Sequence, residues 1–484
     1  MELISVKLSE NITCLKELFK NAMDFTVREF KIGECDAVLL SLDGMINKQQ
    51  AAISILNPLM DVNSKLTGNT LLEYISSNSI GTADEQKLYK ISEITEKMFL
   101  GFAVLLIDGA GYALSFGVQG FERRSVSEPD NEVMQQGSKE GFVEAFLINI
   151  SMVRRRMRNT GLKFEMLTVG EESKTPVVLC YLENKVNKQL LENIKNKVKG
   201  IKLESALAAG YLSGFLKKSS LFGNIGITER PDTLCGKLAE GRVGIIVDGT
   251  PNVIVVPHLF AENFQTLDDY ANRPMYASFT RCIRFIAFLI AAFLPGLYAA
   301  IVIHRPELIP DVLLSKIAAE EAATPFSVMW ELMLVNLLYE IMREAGLRAP
   351  KSLGQAVSIV GALVIGDTAV QSGLIGATSL MVIASSAISG YTIQKLYEQL
   401  SIIRLLLIFA GGILGVWGII LSAVFLIYNI CSEENFGIPV TSPFAPFSIK
   451  AMSDVIIRLP WRRLKNMRSN ISNMPGVKDS INDK

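Results

Sequence analysis

The chain has few histidines, no paired cysteines and no net charge, and each shortage excludes a class of function. Lysine and arginine together number 48, as do aspartate and glutamate, so no global positive field attracts nucleic acid. Only His258 and His304 accompany six cysteines, none of which forms a Cys-x-x-Cys pair. Because zinc needs clustered nitrogen and sulfur ligands, we expect no metal site, and we predict no cofactor.

Motifs of catalysis and of secretion are missing as well. Two histidines, with His304 at the edge of an apolar run, do not support a Ser-His-Asp or Cys-His set, and no Walker-type phosphate loop occurs. The first ten residues, MELISVKLSE, have neither the basic start nor the apolar core of a signal peptide. We therefore expect a protein that is not an enzyme, with its N-terminal half in the reducing cytosol.

Long apolar runs are concentrated between residues 285 and 428. A membrane-spanning helix needs about 20 mostly apolar residues. We predict spans at 284–303, 353–373, 374–391 and 404–428. Arginines precede the first span and follow the last, so the positive-inside rule predicts that both the N-terminus and the C-terminus are cytosolic.

A fifth segment, 326–342, is ambiguous because it carries Glu331 and Glu340. Carboxylates are costly in lipid, which favours an amphipathic or re-entrant segment. The alternative is a true span whose carboxylates face protein or a pore. Two cytosolic ends require an even number of crossings, which four spans satisfy. If 326–342 also crosses, only the weakly apolar 441–457 remains to restore an even number.

The N-terminal half contains a tandem repeat with an offset of 140 residues. AVLLSLDGMIN at 37–47 corresponds to VVLCYLENKVN at 177–187, and GFAVLLIDG at 101–109 corresponds to GRVGIIVDG at 241–249. Short apolar runs that end at Asp-Gly are typical of buried strands leading into tight turns. Charged stretches with helical periodicity separate them. The pattern predicts two related α/β domains with mixed sheets.

We divide the chain into four parts on this basis. They are a first domain at 1–135 with a linker from about 122, a second domain with a coupling segment at 136–280, a membrane helix bundle at 281–430, and a C-terminal segment with a basic tail at 431–484.

The Asp-Gly pairs at Asp43, Asp108 and Asp248 are interpreted as turns, because aspartate favours the geometry that such turns need. The run IIVDGTPNVIVVP predicts a hairpin with strands at 243–247 and 252–256. A second hairpin is predicted around Asp108.

An arginine-rich helix is predicted at 141–162, ending at Gly161. Arg154, Arg155 and Arg156 lie near its end. They either complement the helix C-terminus on a solvated face or contact an acidic partner surface, a neighbouring subunit or anionic lipid.

Several long runs resemble the A subunits of the GerA-type spore germinant receptors (the GerA, GerB and GerK A subunits). They are ERPDTLCGKLAEGRVGIIVDGTPNVIVVPHLFAENFQTLDDYANRP at 229–274, its continuation at 278–302, the arginine-rich segment 140–165, the Gly-rich stretch 337–374 and DVIIRLPWRRLKNMR at 454–468. The resemblance covers roughly residues 100–470. The first hundred residues carry little of the family's signature.

The resemblance implies a receptor subunit in the inner membrane of a dormant spore. It implies two partners, a transporter-like B subunit and a lipoprotein C subunit. It also implies self-association into a ring that supplies an ion pathway, with five copies as one candidate number. Nutrients would bind mainly through B. A close paralogue group, encoded with the dipicolinic-acid transport proteins, shares the same motifs.

A ring-forming channel needs a helix that packs closely around an axis, and the Gly-rich segment 353–373 is our candidate. Five of its positions can share one face and line a pore: Val357, Val360, Val364, Thr368 and Gln371. Helix packing alone would explain the same stripe. Asp367 either caps a helix break after Gly366 or serves the ion path beside Glu331 and Glu340.

Coupling between the domains and the membrane is expected along 260–284, which contains Arg281 and Arg284; Arg154, Arg155, Arg156 and Asp248 are further coupling or assembly candidates. Two other classes of function stay open: a non-conducting scaffold and a secondary transporter. A transporter predicts inverted repeats among the spans, and none is visible.

Overall fold

Two five-stranded sheets of the same topology fill the N-terminal half of the protein. The structure, a computed structural model, describes residues 3–62, 65–78, 84–120, 129, 131–217, 221–222, 225–350, 364–449, 451–464 and 470–478. The strands of the two sheets are β1 Phe25–Ile32, β2 Cys35–Leu42, β3 Glu85–Leu88, β4 Phe102–Ile107, β5 Ala113–Gly117, β6 Leu162–Val169, β7 Thr175–Leu182, β8 Gly226–Thr228, β9 Val243–Val247 and β10 Val253–Val256.

The helices of this half also recur in corresponding places. They are α1 Leu8–Leu18, α2 Lys48–Ala51, α3 Asn57–Met60, α4 Gly68–Asn78, α5 Ile91–Phe99, α6 Phe146–Arg156, α7 Lys188–Lys199, α8 Ala209–Leu216 and α9 Pro231–Ala239. A π-helical turn, Ala52–Leu56, joins α2 to α3. Helix α6 ends at Arg156 and the chain then turns, so the predicted end at Gly161 is wrong.

Strand order is β1-β2-β4-β5-β3 in the first sheet and β6-β7-β9-β10-β8 in the second. Every strand pair in both sheets is antiparallel, so the predicted mixed sheets are wrong. The predicted hairpin is confirmed: β9 and β10 pair across the Asp248-Gly249 turn, where Gly249 takes φ +82°. The hairpin β4–β5 is its counterpart in the first sheet.

Each sheet is covered by helices on both faces. In the first sheet, Ala37 and Leu39 pack towards α2–α4, whereas Val38 and Leu40 pack towards α1 and α5. Successive strand residues point to opposite faces, so burial of both faces requires a continuous apolar run. This requirement explains why the repeat was visible as unbroken runs of Val, Ile and Leu.

The C-terminal half is helical. Its helices are α10 Asp268–Ala271, α11 Pro274–His304, α12 Asp311–Ala323, α13 Val328–Arg348, α14 Ala369–Gln371, α15 Ala377–Tyr391, α16 Tyr397–Cys431 and α17 Trp461–Leu464. A short ladder pairs β11 Glu434–Asn435 with β12 Ile438–Pro439. Two helical segments, 274–304 and 394–431, are long and apolar enough to cross a membrane by length and composition.

Helix α16 is two arms, and not the single straight span predicted at 404–428. Gly415 has φ 62° and ψ −145°, which no helix contains. A Cβ added to Gly418 would collide with the carbonyl of Ala410, although eight residues of straight helix rise about 12 Å. The arms 397–414 and 416–431 therefore fold back on each other. The second arm returns Leu426 and Ile430 to the cluster that contains Leu400.

Helices α11, α13, α15 and α16 form a bundle with two distinct ends. Its proximal end lies beside the second sheet, where Phe264 and Phe222 pack with Leu396 and Leu400. At its distal end the ring of His304 lies 2.9 Å from the carbonyl of Gly412, Nε2 to oxygen.

The remaining predicted spans differ from the observed helices in their limits. Span 284–303 lies inside α11, which begins ten residues earlier, and span 374–391 corresponds to α15. Residues 328–342 of the ambiguous segment 326–342 belong to one continuous helix, α13. Of span 353–373, residues 353–363 lie outside the described part of the chain. The rest is a π-helical turn, Val364–Thr368, followed by α14.

Candidate functional site

Arg154 joins the two repeats through a buried ion pair. Its side chain is 0% exposed and Asp24 of the first repeat is 1% exposed. Nε and Nη2 each donate to one Asp24 oxygen at 2.8 Å, and Nη1 donates to the carbonyls of Asn159 and Leu162 at 3.2 and 3.0 Å. Neither sequence-based alternative holds for Arg154, because it meets neither solvent nor an external acid.

Arg155 and Arg156 anchor the segment that enters the second repeat. Both guanidinium groups donate to Glu140, and Arg156 also donates to the hydroxyl of Ser138 at 2.9 Å. Burial alone would raise the pKa of the Glu140 carboxyl, but the hydrogen bonds and charges of the two arginines outweigh it and hold this pKa below its ordinary value. The segment 131–140, predicted as part of a linker, is thereby fixed to the second repeat.

Asp248 caps the helix that carries these arginines. Its Oδ1 accepts a hydrogen bond from the backbone N–H of Phe146 at 3.3 Å, and Asp108 accepts one from Leu8 at 2.9 Å in the first repeat. Amides in the first turn of a helix have no partner within the helix, so each turn aspartate supplies one. This contact explains Asp248 as a structural residue of the repeat.

Arg281 lies at the centre of an arginine clamp, which consists of Asp269, Arg281, Arg284, Asp454 and Arg458. Arg281 is 0% exposed; its Nε donates to Asp269 and its Nη1 donates to Asp454, both at 2.9 Å. Arg284 Nη1 donates to both oxygens of Asp269 at 2.9 Å and to the carbonyl of Phe264 at 3.0 Å. The clamp thus joins the base of α11 to the segment that leaves the second sheet.

The C-terminal segment completes the clamp. Arg458 donates to the carbonyls of Asn272 and Tyr270 at 3.2 and 3.1 Å, and the Tyr270 hydroxyl donates to Asp454 at 2.8 Å. Burial, together with the charge of Asp454, raises the pKa of the Tyr270 hydroxyl well above its ordinary value. Sequence reasoning identified Arg281 and Arg284 but missed their acids, which lie 12 and 173 residues away from Arg281.

A second buried cluster, also missed by sequence reasoning, surrounds Glu262. Arg242 is 1% exposed and donates to both Glu262 oxygens, while His258 Nδ1 lies 2.9 Å from Oε2. Burial would raise the pKa of Glu262, yet the charges of Arg242 and Lys237 and a hydrogen bond from His258 hold it well below its ordinary value. The cluster fixes the chain between β10 and α10.

Glu331 lies at the distal end of the bundle and caps α15. It is 2% exposed and accepts a hydrogen bond from the backbone N–H of Gly376, while Glu320 accepts one from the N–H of Thr378 at 3.0 Å. Two carboxylates at a helix N-terminus complement the positive end of its dipole. The predicted intramembrane acid Glu331 is therefore held by protein.

Glu340 lies at the proximal end, in a polar cluster centred on Arg404. It accepts hydrogen bonds from the hydroxyl of Ser401 and from Arg343 Nε, the latter at 3.0 Å. Arg404 is 0% exposed and donates to Asn336 Oδ1 at 3.2 Å, while its Nη1 lies 4.0 Å from Glu340. Sequence reasoning missed Arg404, although an arginine that opens an apolar run is a visible signal.

The remaining pore and acid candidates lie around α14. Asp367 accepts a hydrogen bond from Gln371 Nε2 at 2.6 Å, and both side chains are exposed, as is Thr368. Val357 and Val360 lie outside the described residues, and the structure describes the backbone of Val364 but not its side chain. In the described part of the chain, no cluster of three metal-ligating side chains occurs.

These contacts are ion pairs, hydrogen bonds and helix caps. They hold one repeat to the other, the second repeat to the base of α11, and the helices of the bundle to one another.

Comparison with known proteins agrees with this architecture. Residues 13–470 match the model of the family described as Bacillus/Clostridium GerA spore germination protein. Spore germination protein KA of Bacillus subtilis is 34% identical over 467 residues, which cover 95% of this chain and 86% of the relative. The uncharacterized membrane protein YfkQ of the same organism is 32% identical over 471 residues, covering 95% and 90%.

One solved structure is also similar. It is the N-terminal domain of the A subunit of the Bacillus megaterium spore germinant receptor GerK3, 30% identical with a TM-score of 0.43, and it covers 54% of this chain and 98% of that one. The family match extends across nearly the whole chain, including most of the first hundred residues. The chain therefore belongs to the GerA family of spore germination proteins.

Proposed function

We propose that the protein is the A subunit of a nutrient-responsive germinant receptor, and that it self-associates into a ring that opens an ion path in the spore inner membrane. The observation that carries the proposal is the arginine clamp: five charged residues tie a two-domain soluble half to the base of an apolar helix. In this arrangement, partner subunits of the B and C type deliver the nutrient signal to the soluble half.

The bundle supports six passages through the membrane with both chain ends on one side. Helix α11 runs from the clamp to His304, and the two arms of α16 run outward and back. Helices α13 and α15 both run from the distal to the proximal end, because Glu331 bonds Gly376 at one end and Glu340 contacts Ser401 at the other. We propose that the sixth passage is supplied by the chain between them, of which residues 351–363 lie outside the described part.

The two arms of α16 support an even number of passages in this proposal. Segment 326–342 becomes a passage, and the second arm of α16 restores an even number without 441–457. At a rise of 1.5 Å per residue the arms measure about 27 and 24 Å, close to the hydrocarbon thickness of about 30 Å.

Segment 353–373, which lies between α13 and α15 in the chain, is our candidate for the ion path. It contains Val357, Val360, Val364, Thr368 and Gln371. The exposure of Thr368, Gln371 and Asp367 on a single chain supports this proposal, because a pore shared by several copies leaves its lining open in each copy. Substituting Val364 by Asn is expected to wet the constriction and give spores that leak ions and germinate without nutrient. Normal dormancy in that variant would remove this segment from the path.

A deletion strain tests the receptor role. Spores that lack the chain are expected to form in normal numbers. They are expected to lose ion release in response to one class of nutrient only. A normal response to every nutrient mixture would refute the receptor role. A response lost to every trigger, with weakened amplification of all receptors, would favour the dipicolinate-associated paralogue.

Reconstitution separates the channel from a non-conducting scaffold. The purified chain in liposomes is expected to conduct monovalent ions, and the Val364→Asn variant is expected to conduct more. Absence of current in both, with correctly inserted protein, would favour the scaffold.

A further inference from the structure

The contact between the two repeats uses surfaces whose counterparts, by the repeat pattern, lie exposed at the two ends of the N-terminal half. We propose that neighbouring copies of this chain bind each other through these surfaces, so that the contact between copies repeats the contact within each copy. The proposal rests on the self-association in the proposed function and names the surfaces that carry it.

Within one chain, the second repeat binds the first through α6 and the outer edge of β6. Phe164 of β6 forms a parallel bridge with Ala22, its amide donates to the carbonyl of Asn21 at 3.2 Å, and its carbonyl accepts from Met23 at 3.1 Å. A Cβ added to Gly44 would lie 3.3 Å from the Cβ of Ser151. The buried Arg154–Asp24 pair lies between these two contacts.

We call the surface formed by α6 and the outer edge of β6 the donor surface. The first repeat carries an equivalent surface, formed by α1 and the outer edge of β1. Helix α1 and helix α6 are each 11 residues long, and one asparagine in each makes the same pair of bonds: Asn11 bonds both backbone groups of Ser5, and Asn149 bonds both of Val143. Thr13 therefore corresponds to Ser151. Ser151 is buried against the first repeat, whereas Thr13 is exposed.

The rest of this donor surface is open too. Lys16 occupies the place of Arg154 and is exposed, and no described strand pairs with the outer edge of β1, which corresponds to the edge of β6. The face of α1 lines an open groove of about 670 Å³. An unpaired strand edge presents free backbone N–H and C=O groups, so the outer edge of β1 can pair with another chain.

The acceptor surface is the part of the first repeat that α6 and β6 contact, at Asn21–Asp24 and Gly44. The second repeat carries an equivalent surface. The turn at Arg158–Gly161 corresponds to the turn at Asn21–Asp24, and Glu183-Asn184 corresponds to Asp43-Gly44. Arg158, Asn159, Glu183 and Asn184 are all exposed. Gly161 replaces Asp24, but the neighbouring Glu183 supplies an acid for Lys16. Within one chain Glu183 Oε2 lies 3.4 Å from Lys163 Nζ and Lys16 Nζ lies 3.5 Å from Glu29 Oε1, so the contact between copies exchanges these pairs. The ion pair between copies therefore has one ammonium group, whereas the pair within a chain has two parallel hydrogen bonds from a guanidinium group.

Geometry decides what such a contact builds. Two different surfaces that meet head to tail generate a ring when the rotation closes and a filament when it does not. Copies whose apolar bundles share one membrane differ only by rotation about the membrane normal and by sliding in the plane. A closed ring, with the first repeat of each copy bound to the second repeat of the next, satisfies that constraint.

Disulfide trapping tests the contact in the full-length protein in its membrane. In a background with Cys14, Cys282 and Cys431 replaced by serine, the double variant Thr13→Cys/Asn184→Cys is expected to form a covalent ladder on mild oxidation and to lose most of its monomer band. The equivalent pair within a chain brings Cβ atoms to a spacing near that of natural disulfides, about 3.5–4.5 Å. Each single variant is expected to form no ladder, and the two singles expressed together should give dimers only.

The matched control is Thr13→Cys/Lys199→Cys, which keeps one cysteine and moves the other to an exposed position at the far end of α7. A ladder in the control as well would overturn the proposal, because random collision would explain both. No ladder in the test variant, with native gels that still show oligomers, would refute these surfaces and leave the ring intact. Monomers in every assay would refute the ring itself.

Discussion

Removing Arg154 is expected to destabilise the contact between the repeats more than any exposed charge substitution. In an Arg154→Met variant, the Asp24 carboxylate loses both of its 2.8 Å hydrogen bonds and stays buried, since it is 1% exposed. Breaking a buried ion pair from one side costs about 3–5 kcal/mol, because the remaining charge stays buried without a partner. For a unit of this size, each kcal/mol lowers the melting temperature by about 2–4 °C, so a decrease of about 6–20 °C follows.

Scanning calorimetry of the purified full-length protein measures this decrease. The double variant Arg154→Met/Asp24→Leu is the matched control, because it removes both charges and replaces them with apolar groups of similar size. It is expected to recover most of the lost stability. Arg154→Lys should lie between the two, since an ammonium keeps the charge but cannot form the paired bonds. If Arg154→Met melts within about 1 °C of the unmodified chain, the buried pair does not hold the repeats together and the reasoning fails.

Three further predictions concern other contacts. Gly296→Ala is expected to reduce the amount of folded protein in the membrane fraction, because the new Cβ would lie 2.5 Å from the carbonyl of Leu407, whereas Gly236→Ala, with nothing within 4 Å, should leave it unchanged on immunoblots. Glu262→Gln is expected to flatten the dependence of melting temperature on pH in the acid range. The folded-state pKa of Glu262 is lowered, so its contribution is present above the unfolded value of about 4.3 and is lost as the pH falls through the folded value; an unchanged pH profile would contradict this. Lys478→Ala removes an exposed pair with Glu434 and should change stability by less than about 1 kcal/mol in calorimetry, so a larger loss would show that the tail is fixed more firmly than its exposure indicates.

Local signals predicted the strands well and their pairing less well. A short apolar run followed by a turn predicts a buried strand. Residues 243–256 contain both signals, and the hairpin predicted there is confirmed. The direction of pairing depends on how the connections cross the sheet, and the sequence does not state this. Helices between strands suggested parallel crossovers, yet they return the chain to antiparallel neighbours.

The partners of buried charges could not be predicted. Arg154 bonds an aspartate 130 residues away, and Arg281 bonds one 173 residues away. Spacing along the chain carries no information about such contacts. Gly415 is a different case: Gly411, Gly412, Gly415 and Gly418 occur within eight residues of an apolar run, so a signal for the break was present. Hydropathy averaged over a window of about 20 residues conceals it.

The arginine clamp fixes the base of α11 to the segment that leaves the second sheet. Arg281 and Arg284 lie in the first turns of α11, and α11 continues without a break to His304. In the proposed receptor, a rotation of the second repeat would therefore move the base of α11 directly. Nearer the distal end of this helix, Gly296 touches the first arm of α16 at Leu407 and Gly411. At that crossing the backbones leave no room for a side chain, so α11 pivots there more readily than it slides. A ring that changes the angle between its repeats would tilt α11 about Gly296, and its distal end would move opposite to its base.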